Sequence, residues 1–271
     1  MFTPGGIIAL TTDFQADSFY IAEMKVAAHR VARDAMIVDV THAIAPQDVK
    51  QASWTLLRAI EAFPEGTVHV VVVDPGVGTN RKILAAMIHG QVIIGPDNGL
   101  FDVVASRYPV TAVVELNNEV YFGPRRSCTF HGRDIMAPVA GHLVRGIPLV
   151  SLGDAIHRPL VTPQAKANSF AEGTENEIHG QFVYADSFGN CVTNIFEDDI
   201  PDDWDRSQLR VESGLFSVNG IASTYGEREP GASVALLGSS GQLEWAVVQG
   251  SAAQKYGFNV GTAVKIVRES H

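Results

Sequence analysis

The sequence predicts two structural parts, an N-terminal α/β domain on a central, largely parallel sheet flanked by helices and a smaller C-terminal domain of short strands. Three observations carry this. From "IIALTTDF" (7–14) to "GIPLVSLGDAI" (146–156), short apolar runs alternate with longer amphipathic ones, the pattern of strands and crossover helices around a buried sheet. "TPQAKANSFAEGTENEI" (162–178) has no periodicity and is rich in small and polar residues, as a linker would be. After Gly180 the apolar runs are short, β-rich and separated by glycine turns. The expected boundaries are 1–161, a linker at 162–178, and 179–271.

Taken in order, "IIALTTDF", "AMIVDVT" (35–41) and "TVHVVVVD" (67–74) read as strands. "PQDVKQASWTLLRAIEAF" (46–63) reads as a helix. Pro46 suits its first turn, and Ala52, Leu56, Ala59 and Phe63 share one side. In the second half "QFVYAD", "LRVES", "LFSVNG", "SVALLG", "QLEWAVV" and "AVKIVR" read as strands of a small antiparallel sheet or barrel, with one helical turn at "SAAQKYG".

Composition narrows the function classes. The 271 residues are 46% hydrophobic, enough for a sizeable core, and the formal charge of -10 argues against a duplex nucleic-acid binder. No apolar run approaches the roughly 18 residues of a membrane span, and "MFTPGG" lacks the basic-then-apolar pattern of a signal peptide, so a cytoplasmic protein is expected. Cys128 and Cys191 fit no metal spacing and are expected to be reduced. No metal motif is present.

Four polar clusters interrupt the apolar patterns. "TTDF" sets Asp13 just past the first strand, where open α/β sheets bind ligands; it serves either as a helix cap or as an acceptor for both hydroxyls of a ribose. "VVVVDPGVGTNRK" (70–82) is neither a phosphate-binding GxxxxGK[ST] loop nor a GxGxxG turn, since the latter fails at Arg81. It places Asp74 and Arg81 across a glycine-containing loop, as a structural ion pair or as a device for orienting water. "TFHGRD" (129–134) puts His131 before a helix start, with Arg133 and Asp134 in the first turn; histidine there is either structural or a proton-transfer group. In "YADSFGNCVTNI" (184–195), Asp186, Phe188 and Asn190 either form a turn or alternate along an extended chain and project from one face, where ring and amide suit a flat heterocycle.

Together with "GPDNGLF" (95–101) and "GSSGQLEWAVVQGSAA" (238–253), these clusters make the chain resemble, across nearly its whole length, the S-adenosyl-L-methionine hydroxide adenosyltransferase family, relatives of the fluorinating and chlorinating enzymes. The resemblance implies an N-terminal α/β domain, a C-terminal β-barrel, and a homotrimer with each site between one subunit's N-domain and its neighbour's C-domain. It also implies attack of water on ribose C5′ of S-adenosylmethionine, releasing L-methionine and adenosine, with no cofactor beyond the substrate. The family's catalytic Asp/Arg/His set falls on Asp74, Arg81 and His131. Asp13 matches its ribose carboxylate, Asp186 its methionine-amino ligand, Asn190 its adenine ligand, Phe188 a ring lining the site, Ser239 a methionine-binding serine, and Tyr225 an adenine-packing ring.

Where the halogenases carry a tyrosine and a serine, this chain has His131 and Gly132; it has Asp74 for another tyrosine and Val77 for a halide-site threonine, and it lacks their extra N-domain loop. A halogenase-like transferase and a non-catalytic S-adenosylmethionine-binding protein are the alternatives, both disfavoured by the intact Asp/Arg/His set. Gln242, Trp245 and Val248 depart from the family's "NSxGYLEIAVNQGSAA".

Overall fold

The computed structural model describes residues 2–161 and 171–268. The chain divides into two compact units, Met1–Lys166 and Ala167–His271.

The first unit contains β1 (Ile7–Thr12), α1 (Phe19–Val31), β2 (Met36–Thr41), α2 (Val49–Ala62), β3 (Val68–Val72), β4 (Ile83–Ile88), β5 (Gln91–Pro96), α3 (Asp102–Arg107), β6 (Val110–Glu115) and α4 (Ala137–Val144). Its sheet runs in the order β2-β1-β3-β5-β4-β6. Strands β2, β1, β3 and β5 are parallel, and β4 is antiparallel to both neighbours. The β4–β5 hairpin, turning at His89 and Gly90, was not singled out by periodicity because both strands are apolar on both faces.

Alternation along the strands explains why helices cover both faces. Ile8, Leu10, Val68, Val70 and Val72 share one core cluster with Met24 and Ala28 of α1 and Val139, Ala140 and Leu143 of α4. The opposite face receives α2, whose Gln91-bonded end lies behind His69. Helix α2 starts later than expected: Asp48 caps it by accepting from Gln51 N at 2.9 Å, and Pro46 lies before the cap. Ala52, Leu56 and Ala59 are buried as the spacing required.

Because β1 leads through α1 to β2 on one side, and β2 leads through α2 to β3 on the other, the strand order reverses between β1 and β3. Such a switch point opens a crevice at the carboxyl ends of the strands. Thr12 pairs with Val72, so Asp13 and Asp74 leave the sheet from neighbouring strand ends.

The second unit contains β7 (Glu172–Gly173), β8 (Glu177–Ala185), β9 (Cys191–Phe196), β10 (Leu209–Ser213), β11 (Phe216–Asn219), β12 (Ile221–Ala222), β13 (Ser233–Leu237), β14 (Gln242–Val247), α5 (Ala252–Tyr256) and β15 (Ala263–Arg268). Its order is β11-β10-β15-β8-β9-β14-β13-β12, with β7 added beside β8. The end strands β11 and β12 are joined through Gly220 alone, which curls the sheet into a nearly closed barrel. Part of the expected linker is therefore strand, because β7 and the first residues of β8 fall within 171–178; positions 162–170 lie outside the described residues.

His69 on β3 is 1% exposed. The Gln91 amide nitrogen donates to the Ile60 and Phe63 carbonyls, so its oxygen faces the ring, which must donate through Nε2 at 2.7 Å; Nδ1 is left buried without a partner among the described residues. Burial pushes the His69 pKa down from 6.5 to about 4, partly opposed by the Gln91 bond. In that window the unfolded chain takes up a proton that the folded one refuses, so stability is complete above 6.5 and is lost as pH falls toward 4, by up to about 3 kcal/mol. Melting curves of His69→Gln against the parent should show a shallower acid loss for the variant; identical slopes would refute this assignment.

Candidate active site

The loop after β3 is tightly bonded. Val77 N donates to the Asp74 carbonyl at 3.2 Å, Thr79 Oγ1 to the Gly76 carbonyl at 2.7 Å, and Arg81 N to Thr79 Oγ1 at 3.3 Å. These bonds turn Arg81 back onto Asp74. Its Nε donates to both Asp74 oxygens at 3.0 Å, and Nη2 bonds Oδ2. Asn98, from "GPDNGLF", secures the strand end by donating to the Val73 carbonyl at 3.1 Å.

Arg81 Nη2 also reaches His131 Nδ1 at 2.7 Å, so the three expected residues form one cluster. Guanidinium has no acceptor, so Nδ1 must accept, and the neutral ring carries its proton on Nε2. His131 is brought there by Gly132, where a Cβ would sit 3.2 Å from Met24 Sδ and from both Val72 methyls, tighter than ordinary contact. Residues 132–136 form a π-helical turn, a local widening common at functional sites. Asp134, 3% exposed, locks that turn by accepting from Ser127 N at 2.7 Å and from Arg133 Nε at 2.6 Å.

Asp13 does not cap α1; Ser18 does, accepting from Tyr20 N. Asp13 Oδ2 instead accepts from Gln47 N at 2.8 Å, joining the loops after β1 and β2 at the switch point.

In the second unit, Asp186, Phe188 and Asn190 are not an extended row. They form the turn between β8 and β9, with Gly189 at φ +83 and Asp186 Oδ1 accepting from Phe188 N and Asn190 N, both at 2.9 Å. This local side-chain bonding is what overrides the strand-like sequence. Phe188 points outward, 77% exposed, while Asn190 is buried. Asn190 Nδ2 donates to Asp186 Oδ2 at 3.0 Å and to Tyr225 OH at 3.3 Å, and Tyr225 OH donates to Glu244 at 2.9 Å. Burial, then the Glu244 bond and charge, push the Tyr225 pKa up to about 12. Ser239 is exposed in the β13–β14 turn.

Glu244 was missed by sequence reasoning, although a carboxylate inside "QLEWAVV" was a visible signal. Strand alternation sends Leu243, Trp245 and Val247 into the barrel core and Gln242, Glu244 and Ala246 to the other face. The three departures from the family pattern are all buried: Gln242 donates to the Thr193 carbonyl at 2.8 Å, Trp245 packs on Tyr256 and Phe258, and Val248 joins Ala222 and Leu236. Cys128 and Cys191 are free thiols; burial, then Asp186, raise the Cys191 pKa to about 11. Among the described residues no His/Cys/Asp/Glu group is arranged to hold a metal ion.

Both halves of the chain match one family. The SAM hydroxide adenosyltransferase N-terminal domain matches residues 8–153 and its C-terminal domain residues 180–265. The chain belongs to the SAM hydroxide adenosyltransferase family. It is 35% identical to the (R)-S-adenosyl-L-methionine hydrolase of Thermus thermophilus, covering 94% of this chain and 97% of the relative. The (R)-S-adenosyl-L-methionine hydrolase of Salinispora tropica is also 35% identical, over 96% and 97%, and the fluorinase of Actinopolyspora mzabensis 25%, over 97% of each. The crystal structure of an uncharacterized conserved protein from Thermotoga maritima superposes with a TM-score of 0.89 at 35% identity, covering 96% of this chain and all of that one.

Burial, then the Arg81 charge, hold the His131 pKa below its ordinary 6.5, against Asp74 and Asp134, which raise it. Arg81→Ala removes one depressing influence and leaves both raising ones. The His131 C2–H resonance should then titrate at higher pH than in the parent, and a midpoint that stays put or falls would contradict the electrostatic assignment.

Proposed function

We propose that the protein hydrolyses (R)-S-adenosyl-L-methionine to adenosine and L-methionine. The observation that carries this is the Asp74–Arg81–His131 cluster at the sheet's switch point, in a chain whose hydrolase relatives align over almost its full length. Water oxygen attacks C5′; the C5′–S bond breaks, its electron pair leaving on sulfur, so the sulfonium becomes the neutral thioether of methionine. One water proton is released. The leaving group needs no protonation, which reduces the protein's task to alignment, desolvation and proton acceptance.

The donor–acceptor pattern supports a division of roles. His131, with Nδ1 engaged by Arg81, offers Nε2–H to a lone pair of the water, and the Asp74 carboxylate accepts the departing proton. Arg81 positions both. Asp13, with one oxygen on Gln47 N, presents the other to ribose hydroxyls. In the second unit, Asp186 and Ser239 take the methionine amino acid moiety, Asn190 and Tyr225 the adenine, and Phe188 covers them. Substrate is the sole small molecule required, and the reaction belongs in the cytoplasm. The site is completed in a homotrimer, between the first unit of one subunit and the second unit of its neighbour.

Reaction of separated sulfonium epimers in ¹⁸O-labelled water should give adenosine labelled in its 5′-hydroxyl from the (R) form. Methylthioadenosine or S-adenosylhomocysteine as main product would overturn the reading. Asp74→Asn and His131→Ala should each lower kcat by about 100-fold or more, with substrate affinity measured by calorimetry changing much less. Loss of affinity in step with activity would make them binding groups instead.

The assembly is tested separately. Asp13→Ala and Asn190→Ala should each be nearly inactive, but every mixed trimer of the two has one interface with both halves intact. Co-refolding equal amounts should restore roughly a quarter of parental activity. No rescue, with mixed trimers verified by native mass spectrometry, would exclude a shared site.

A further inference from the structure

The network below Asn190 has a fixed polarity. Asp186 Oδ2 accepts only, so the Asn190 atom facing it at 3.0 Å must be the amide nitrogen; the oxygen there would set two acceptors together. The second Nδ2 proton goes to Tyr225 OH at 3.3 Å. That hydroxyl is available as an acceptor because its own proton is committed to the Glu244 carboxylate at 2.9 Å. Glu244 is only 9% exposed, and its place depends on Gly238, where a Cβ would fall 1.9 Å from Glu244 Oε1. With both Nδ2 protons held, what Asn190 offers a ligand is Oδ1, an acceptor.

We propose that Glu244 is a positioning residue that sets base selectivity: acting through Tyr225, it holds the Asn190 amide so that an acceptor meets the purine, admitting a 6-amino group and refusing a 6-oxo group. This rests on the proposed reading that adenine lies at Asn190. Adenine donates from its amino group to Oδ1. Hypoxanthine, the deaminated base, presents an oxygen to an oxygen, and the buried amide cannot turn over without losing its bonds to Asp186 and Tyr225. Without Glu244, the Tyr225 proton is free to point elsewhere and the amide is held by Asp186 alone.

The test compares adenosine with inosine by calorimetry, and S-adenosyl- with S-inosyl-methionine by kcat/KM, on folded protein checked by circular dichroism. The parent should prefer the amino base by about 100-fold or more, as expected for a site built around a buried hydrogen bond. Tyr225→Phe, Glu244→Leu and Gly238→Ala, the last displacing the Glu244 carboxyl, should each reduce that ratio at least about tenfold. Glu244→Gln, which keeps a carbonyl acceptor, should retain it. Equal binding of the two nucleosides by the parent, or an unchanged ratio in folded Tyr225→Phe and Gly238→Ala, would overturn the proposal. Hydrolysis without base preference removes the relay and leaves the proposed function standing; adenosine-selective binding without hydrolysis does the reverse. Binding of neither nucleoside removes both.

Discussion

The first unit's site depends on a property of one side chain: guanidinium donates and never accepts. Arg81 therefore fixes the bonding of both partners, donating to both Asp74 oxygens and taking the Nδ1 lone pair of His131. A lysine at this position would lack the planar fork that engages two groups at once. The loop sequence follows from that requirement. Pro75 begins the turn, and Thr79 Oγ1 bonds both Gly76 O and Arg81 N, so hydrogen bonds within the loop fold the chain back into a clasp from Asp74 to Arg81.

Placing the clasp is the work of the sheet. The reversal of strand order between β1 and β3 leaves their carboxyl ends uncovered by crossovers, and Asp13 and Asp74 occupy those two ends. His131 comes from far along the chain and meets Arg81 where Gly132 allows its backbone to close on Val72. Packing thus sets the distance, and Arg81 sets the orientation. The second unit solves a similar problem with carboxylates: Asp186 and Glu244 are acceptors at the two ends of a chain in which Asn190 donates one amide proton to Asp186 and the other to Tyr225, and Tyr225 donates its own to Glu244.

Much of this was legible from residue pattern. The alternating runs of the first half marked the α/β unit, and six short runs of the second half became β8, β10, β11, β13, β14 and β15. The β4–β5 hairpin was not, because strands buried on both faces carry no period-2 signal. Asp13, Asp74, Arg81 and His131 stood out as polar breaks in apolar sequence. Their bonding did not, since Gln47, Asn98 and Gly132 owe their parts to tertiary approach. For the β8–β9 segment the pattern left a turn and an extended chain both open, and Asp186 side-chain bonds decide for the turn. Gln242, Trp245 and Val248 depart from the family's pattern at positions that are buried.

The same donor–acceptor argument separates water from halide as the nucleophile. A halide ion needs donors around it and has no proton to give, so a carboxylate at its seat is repulsive. Water must lose a proton as the C5′–O bond forms, so an acceptor beside it is useful throughout the reaction. In the proposed reading Asp74 lies beside the water, and the family resemblance sets it where the halogenating relatives carry a tyrosine, which donates. Its charge is balanced by Arg81, so the pair receives a proton without presenting a net negative field. In that reading His131, whose pKa is held below its ordinary value, adds little positive charge beside the sulfonium. In the proposed reaction an acceptor beside the water, and a histidine whose pKa is held down first by burial and then by Arg81, suit a cationic substrate and a neutral nucleophile together.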